Sequence, residues 1–251
     1  MTSPQPPDSN QQTSSTENAT RRDPPTSASS TSELTSVTLK LRQSLRQFPD
    51  FPIPGIDFVD ILPLFASHSL HESLIRALEL QVLLFDNGKK PDVVVGLDAR
   101  GFLFGPSLAL RLGAGFAPVR KRGKLPGPTE EASFDKEYGQ DYFQIQKDAI
   151  KPGQTVLVVD DIIATGKPMN SHQFSLTQRY ASQHYMRCDE GNTWLTFLIG
   201  GSAQAAGKLV EQLGGNLMGY LFILELDFLK GREKLNAPVA TLLRDNMGGG
   251  N

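Results

Sequence analysis

The sequence predicts an α/β fold with a central, mainly parallel sheet flanked by helices. Strand-like and helix-like segments alternate between Leu34 and Leu243, the pattern of a layered α/β domain. Within that alternation, Thr155-Val156-Leu157-Val158-Val159 is an aliphatic run that breaks into Asp160-Asp161 and then into the small residues Ala164-Thr165-Gly166. A buried parallel strand reads this way when its C-terminal end opens onto a ligand. Open α/β sheets bind ligands at such strand ends, so this stretch marks both the centre of the sheet and the candidate site.

The flanking elements follow in order. Before Leu34 there is no Leu, Ile, Val, Phe, Tyr or Trp, and Ser, Thr, Pro, Gln and Asn dominate. Residues 1–33 are therefore predicted to be a disordered low-complexity tail. Leu34, Val37, Leu41, Leu45 and Phe48 recur at helical spacing and predict a helix over roughly 33–47. Pro49, Pro52 and Pro54 then impose a rigid extended turn.

A second helix is predicted from about Leu70 to Phe85, closed by Asp86-Asn87-Gly88. Asp92 to Gly96 reads as a short buried strand with a polar end at Leu97 to Gly101, followed by a helix from about Phe102 to Leu112 and a strand at 116–119. From Arg120 to Tyr138 no period is visible and Gly, Pro and charge are frequent, so a functional loop is expected there. Asp141 to Gln146 is a further strand, and Leu217 to Leu226 and Val239 to Leu243 complete the sheet. Residues 244–251 are expected to be a flexible tail.

The helix that should follow the central strand is displaced. Lys167-Pro168-Met169-Asn170 has no helical period, and a helix starts only at Gly201-Ser202, where Ser202 is a suitable N-cap and Ala203, Ala206, Leu209, Val210 and Leu213 share a face. Backbone N–H groups at Ala164-Thr165-Gly166 and a helix N-terminus beside them would together cradle an anion. The cradle is cut in two.

The net charge of −2 for 251 residues argues against a general nucleic-acid binder. One cysteine, Cys188, excludes an internal disulfide and suits a reducing compartment. No apolar run has membrane-spanning length and no secretory hydrophobic region is present, so a soluble cytoplasmic protein with no membrane association is expected.

The stretch 158–166 joined to Gly201-Ser202 resembles the phosphoribosyl pyrophosphate motif of the type I phosphoribosyltransferases. Four further stretches are similar to the adenine phosphoribosyltransferases: Phe51 to Ile56, Arg100 to Pro106, Arg120 to Gly127, and Leu229 to Leu235. The resemblance covers about 34–166 and 201–243 and implies a Rossmann-like fold, interrupted by the insert 167–200. It also implies Mg²⁺, a homodimer, and transfer of 5-phosphoribose from phosphoribosyl pyrophosphate to adenine, giving AMP and pyrophosphate.

Residue by residue, the resemblance implies that Arg100, Arg120, Lys121 and Lys124 serve the pyrophosphate, with Arg100 also counted among the catalytic groups. Asp160 and Asp161 would hold the ribose hydroxyls with Mg²⁺ nearby, in part through water. Ala164, Thr165, Gly166, Gly201 and Ser202 would enclose the 5-phosphate. Phe58 would stack on adenine with Leu226 on the other face, while backbone groups around Asp57 and Val59 read the base edge. Val59 stands where the family often has arginine. Glu137 would handle the purine proton as the loop from Arg120 closes.

Taken singly, each of these residues has a plainer explanation: a solvated turn for the aspartates, a surface acid for Glu137, core packing for Phe58 and Leu226. Asp98 reads most simply as a helix cap. The insert holds Cys188, Trp194, His172 and His184, whose spacing fits no metal site. At the codon level, Gly166-Lys167 can be GGTAAG, a splice-donor sequence, and Ile199-Gly200 can be ATAGG, an acceptor; removing the span restores Gly-Gly201-Ser202 in frame. Two functional readings stay open: an enzyme of purine salvage, and a non-catalytic or impaired nucleotide-binding chain whose cradle is split.

Overall fold

The computed structural model describes residues 27–50, 58–86, 88–136, 139–166, 201–229 and 231–245. Asp57, Glu137 and the entire insert 167–200 lie outside the described residues, as do 1–26 and 246–251.

Helix α1 runs Ser27–Gln43, starting upstream of the expected boundary and stopping short of Leu45 and Phe48. The expected last turn is instead a strand. β1 (Arg46–Phe48) pairs antiparallel with β2 (Phe58–Asp60) in a separate two-stranded ribbon, and Arg46 closes a 2.6 Å ion pair on Asp60. Pairing with a distant segment overrides the local helical period here.

Helices α2 (Pro63–Ala66) and α3 (His68–Phe85) follow, the latter burying Leu74, Ile75, Ala77, Leu78, Leu80 and Val82. β3 (Val93–Leu97) is buried throughout. It leads through a 3-10 turn, Arg100–Leu103, into α4 (Gly105–Leu112), which replaces the single helix expected at 102–112. Pro106 occupies the first turn of α4, where its missing N–H costs nothing.

β4 (Gly115–Lys121) is followed by β5 (Thr129–Lys136) and β6 (Gly139–Gln146), an antiparallel hairpin. Of the aperiodic stretch 120–138, 122–128 form the expected loop, while 120–121 and 129–136 are strand. β5 is the outermost strand of the sheet, and among its described side chains, 129–133, only Ala132 joins the core; an edge strand with polar faces carries little apolar alternation. β7 (Thr155–Gly166), α5 (Gly201–Gln212), β8 (Asn216–Leu229) and β9 (Val239–Asp245) complete the fold.

Seven strands form one sheet in the order β5-β6-β4-β3-β7-β8-β9. β3 pairs in parallel with β4 and β7, β7 with β8, and β8 with β9; only the β5–β6 and β4–β6 pairs are antiparallel. The mainly parallel α/β architecture expected from the sequence is the one observed.

Helices cover both faces. Leu41 of α1, Leu78 of α3 and Leu108 of α4 pack with Leu157, Val159 and Leu221 on one side. Ala203, Ala206, Leu209 and Val210 of α5 pack with Val156, Val158, Tyr220 and Phe222 on the other. β7 is therefore buried on both faces, which explains its unbroken aliphatic composition; each such side chain contributes about 1.5–3 kcal/mol by leaving water. Midway along β7, just past its last pairing with β3 at Val159, come Asp160 and Asp161.

Candidate active site

The ends of β3 and β4 and the middle of β7 supply the charged groups. After β3 the chain passes Asp98, whose peptide bond to Ala99 is cis, and enters the turn bearing Arg100. Gly101 in that turn lies so close to β7 that a Cβ would stand 2.9 Å from the Val159 carbonyl oxygen. This close approach brings Arg100 to the carboxylates. Arg100 Nε is 2.9 Å from Asp161 Oδ2, an exposed guanidinium on an acid that is almost fully buried.

Asp161 also donates its backbone N–H to Asp160 Oδ1 at 2.9 Å. Both carboxyls are held above the ordinary carboxylate range. Burial is the main cause for each; the Asp161 charge adds to the rise at Asp160, while Arg100 opposes it at both acids. Two adjacent acids, Asp161 buried and Asp160 partly so, facing one arginine are a pair waiting for more positive charge.

Arg120, at the end of β4, donates from Nε to Asp98 Oδ2 at 2.7 Å and from Nη1 to the Lys124 carbonyl at 3.2 Å. Asp98 thus holds a member of the basic stretch in place of the helix cap that its sequence position suggested, since Ala99 is the N-cap of the 3-10 turn and no side chain caps it. Lys124 donates its N–H to Lys121 in a tight turn. Gln144, buried on β6, supports that turn: its Oε1 accepts the Gly123 N–H at 2.8 Å and its Nε2 donates to Glu131 at 2.5 Å. Glu131 in turn pairs with Arg122, whose guanidinium lies 3.7 Å from the centre of the Tyr142 ring. These supports were not legible beforehand, because they join two strands that sequence spacing does not relate.

The cradle departs from expectation. Ala164, Thr165 and Gly166 were expected to turn around a phosphate, yet they continue β7 as strand, with Ala164 opposite Leu226 and Gly166 opposite Phe228 and Leu229 on β8. In a strand, successive N–H groups point in opposite directions and cannot converge on one anion. α5 begins at Gly201, so Ser202 lies inside its first turn and is not the N-cap expected; among the described residues its buried hydroxyl has no hydrogen-bond partner.

The remaining expected residues fall on two elements. Phe58 and Val59 lie on β2, with Val59 buried; Leu226 is buried near the end of β8, and Val59 and Leu226 share one apolar cluster. Asp60, just beyond, accepts Arg46 and the Leu62 N–H at 2.9 Å, which fixes β2.

The donor set suits a hard cation. Asp161 Oδ2 is buried and accepts no well-aligned hydrogen bond, and two adjacent carboxylates are the oxygen ligands that Mg²⁺ takes when substrate phosphates and water supply the rest. Among the described residues no three His, Cys, Asp or Glu side chains gather into an all-protein metal cage.

A mainly parallel sheet carrying paired acids on a central strand, one of them facing Arg100, fits a phosphoribosyltransferase. Residues 67–173 match the phosphoribosyl transferase domain family, the match ending within the insert. The chain is 49% identical over 211 residues to adenine phosphoribosyltransferase of Debaryomyces hansenii, covering 84% of this chain and 93% of that one. It is 50% identical over 210 residues to that of Yarrowia lipolytica, covering 84% and 97%. The crystal structure of the Saccharomyces cerevisiae enzyme, complexed with D-2,5-dideoxy-2,5-imino-altritol 1,6-bisphosphate and adenine, superposes with a TM-score of 0.67 at 48% identity, covering 83% of this chain and 99% of that one. The chain belongs to the adenine phosphoribosyltransferases, pentosyltransferases that move 5-phosphoribose from phosphoribosyl pyrophosphate to adenine and release AMP and pyrophosphate.

Proposed function

We propose that the β7 end is where phosphoribosyl pyrophosphate binds and reacts, with Asp160 and Asp161 on the ribose hydroxyls and Arg100, Arg120, Lys121 and Lys124 on the pyrophosphate. The Arg100–Asp161 contact carries this reading, since it joins a cation for the leaving group to an acid for the sugar. Loss of pyrophosphate leaves positive charge on the ribose ring and concentrates negative charge on the departing oxygens. The site therefore needs fixed cations and orientation more than a nucleophile. Mg²⁺, when held near Asp160 and Asp161, neutralises the pyrophosphate and orients it.

In this reading adenine lies between Phe58 and Leu226, with backbone groups at Asp57 and Val59 reading its edge. Glu137 takes or returns the purine proton. Gly201 and Ser202 with Ala164, Thr165 and Gly166 receive the 5-phosphate. The enzyme works in the cytoplasm as a homodimer, which sedimentation at micromolar concentration tests.

One observation favours a second reading, an impaired or non-catalytic nucleotide-binding chain. Ala164 to Gly166 are paired to β8, so their N–H groups alternate along a strand and do not converge on one anion. AMP formation from adenine, phosphoribosyl pyrophosphate and Mg²⁺ decides between the two. Turnover by the full chain supports the enzyme, and turnover confined to a version lacking 167–200 supports the impaired chain.

A further inference from the structure

Glu225, the residue before Leu226 on β8, is 3% exposed. Its carboxylate is fully engaged. Arg232 donates from Nε to one oxygen at 2.5 Å and from Nη2 to the other at 2.5 Å, and the Thr241 hydroxyl donates to that second oxygen at 2.8 Å. Arg244 Nε stands 3.3 Å from the same oxygen. Arg232 also reaches the Val239 carbonyl at 2.9 Å and Thr241 Oγ1 at 3.2 Å, and α1 joins through Arg42, which donates to the Arg244 carbonyl at 2.7 Å. One buried acid thus fastens β8, β9 and the 3-10 turn Gly231–Lys234 at a single point.

A buried ion pair is an uneconomical way to add stability alone, because desolvation offsets most of its attraction. Its geometry, however, is restrictive. A bidentate guanidinium–carboxylate pair fixes both distance and plane. Side chains alternate along a strand, so locking Glu225 on one face of β8 also sets how Leu226 leaves the other. Leu226 is opposite Ala164, the first residue of the split cradle, so the same clamp bears on the ladder between base wall and phosphate wall.

We propose that Glu225 and Arg232 are positioning residues for adenine, holding the end of β8 so that Leu226 keeps its place against the base. The proposal rests on the reading of Leu226 as an adenine contact. Neither side chain touches substrate in this account; both act through Leu226.

The test uses the full chain with Glu225→Gln, Arg232→Lys and Leu226→Ala. Arg232→Lys retains charge but cannot bridge both oxygens, and it serves should Glu225→Gln fail to fold. Calorimetry of adenine and of phosphoribosyl pyrophosphate with Mg²⁺ is expected to give adenine binding weaker by about tenfold in both clamp variants, with the pyrophosphate substrate changed by less than about twofold. Equal losses for both ligands, or no loss, would mean a purely structural clamp and overturn the proposal. Adenine binding indifferent to Leu226→Ala removes the underlying reading and the proposal together, whereas a loss in Leu226→Ala alone overturns only the positioning role. In the ligand-free chain the Leu226 methyl resonances are expected to shift and broaden in both clamp variants. Unmoved resonances overturn the proposal whatever the ligands do.

Discussion

Arg100 Nε lies 2.9 Å from Asp161 Oδ2, and it opposes the effect of burial on the Asp160–Asp161 pair. Both acids have folded-state pKa values above the ordinary 3.8. A carboxyl shifted upward stabilises the fold in its protonated form, so that contribution is complete below the unfolded value and is lost as pH rises through the folded one. Asp160→Asn is therefore expected to melt above the parent chain at pH 8, by about 2–4 °C for each kcal/mol regained. The gap should close as pH falls toward 4. Calorimetric melting at several pH values checks this, and a gap that widens toward acid would reverse the assignment.

Deleting Lys167 to Gly200 is expected to release Ala164 to Gly166 from β8 and bring them beside α5. Oxyanion-type backbone donors are each worth on the order of 10²–10³ in rate, so kcat/KM for phosphoribosyl pyrophosphate should rise by about 10² or more. Steady-state AMP formation measures it. Equal values for the two forms would show that the strand pairing at 164–166 does not hinder the phosphate.

Ser202 offers a test in which stability and affinity move in opposite directions. Its hydroxyl is buried without a partner, and removing an unsatisfied polar group recovers about 1–3 kcal/mol. Ser202→Ala should therefore melt slightly higher than the parent when no ligand is present. In the form lacking the insert, the same change should weaken binding of phosphoribosyl pyrophosphate by about tenfold, one lost charge-assisted hydrogen bond. Calorimetry of both forms gives the two signs.

Gly207 places α5 directly on β8, where an added Cβ would come 2.0 Å from the Tyr220 hydroxyl. That hydroxyl donates to Asn236 at 2.9 Å and cannot withdraw freely. Gly207→Ala is expected to cost about 1–3 kcal/mol through overpacking. Adding Tyr220→Phe removes the clashing oxygen, so the double variant should melt above Gly207→Ala alone. Thermal denaturation of the two single variants and the double reads the coupling.

The buried half of the molecule was the legible half. β7 announced itself because a strand covered on both faces must be aliphatic, although that cover continues past the carboxylates to Ile162 and Ile163. α3 was equally plain, its apolar residues recurring on one face from Leu74 to Val82. β5 was missed because Thr129 to Lys136 form an edge strand whose hydrogen bonds to β6 replace apolar alternation as the organising force. The end of α1 was misplaced because β1 finds its partner in β2, across a proline-rich stretch that local periodicity cannot span.

At the candidate site, residue identities were readable and their partners were not. Asp160, Asp161 and Arg100 stand out by type and position, yet nothing in spacing says that Arg100 faces Asp161 or that Arg120 faces Asp98. Gln144, Glu131 and Glu225 gave no signal, since an acid or amide within a strand looks like any solvent-facing residue until the sheet is assembled. Ala164 to Gly166 were read as a turn from their small size. The structure instead pairs them with β8, in a ladder that already runs from Thr155 through Ile163.

The position of β7 has a consequence for how the chain reaches this state. β7 lies between β3, made earlier, and β8, made later, so Thr155 meets Asn216 only after the whole insert has emerged from the ribosome. Until then its later edge offers unpaired N–H and C=O groups to any extended segment that passes. Lengthening the closing loop slows the encounter only modestly, but it prolongs the interval in which an aliphatic edge stands open. A cell making this polypeptide would meet the insert first as a demand on its chaperones, before any substrate arrives.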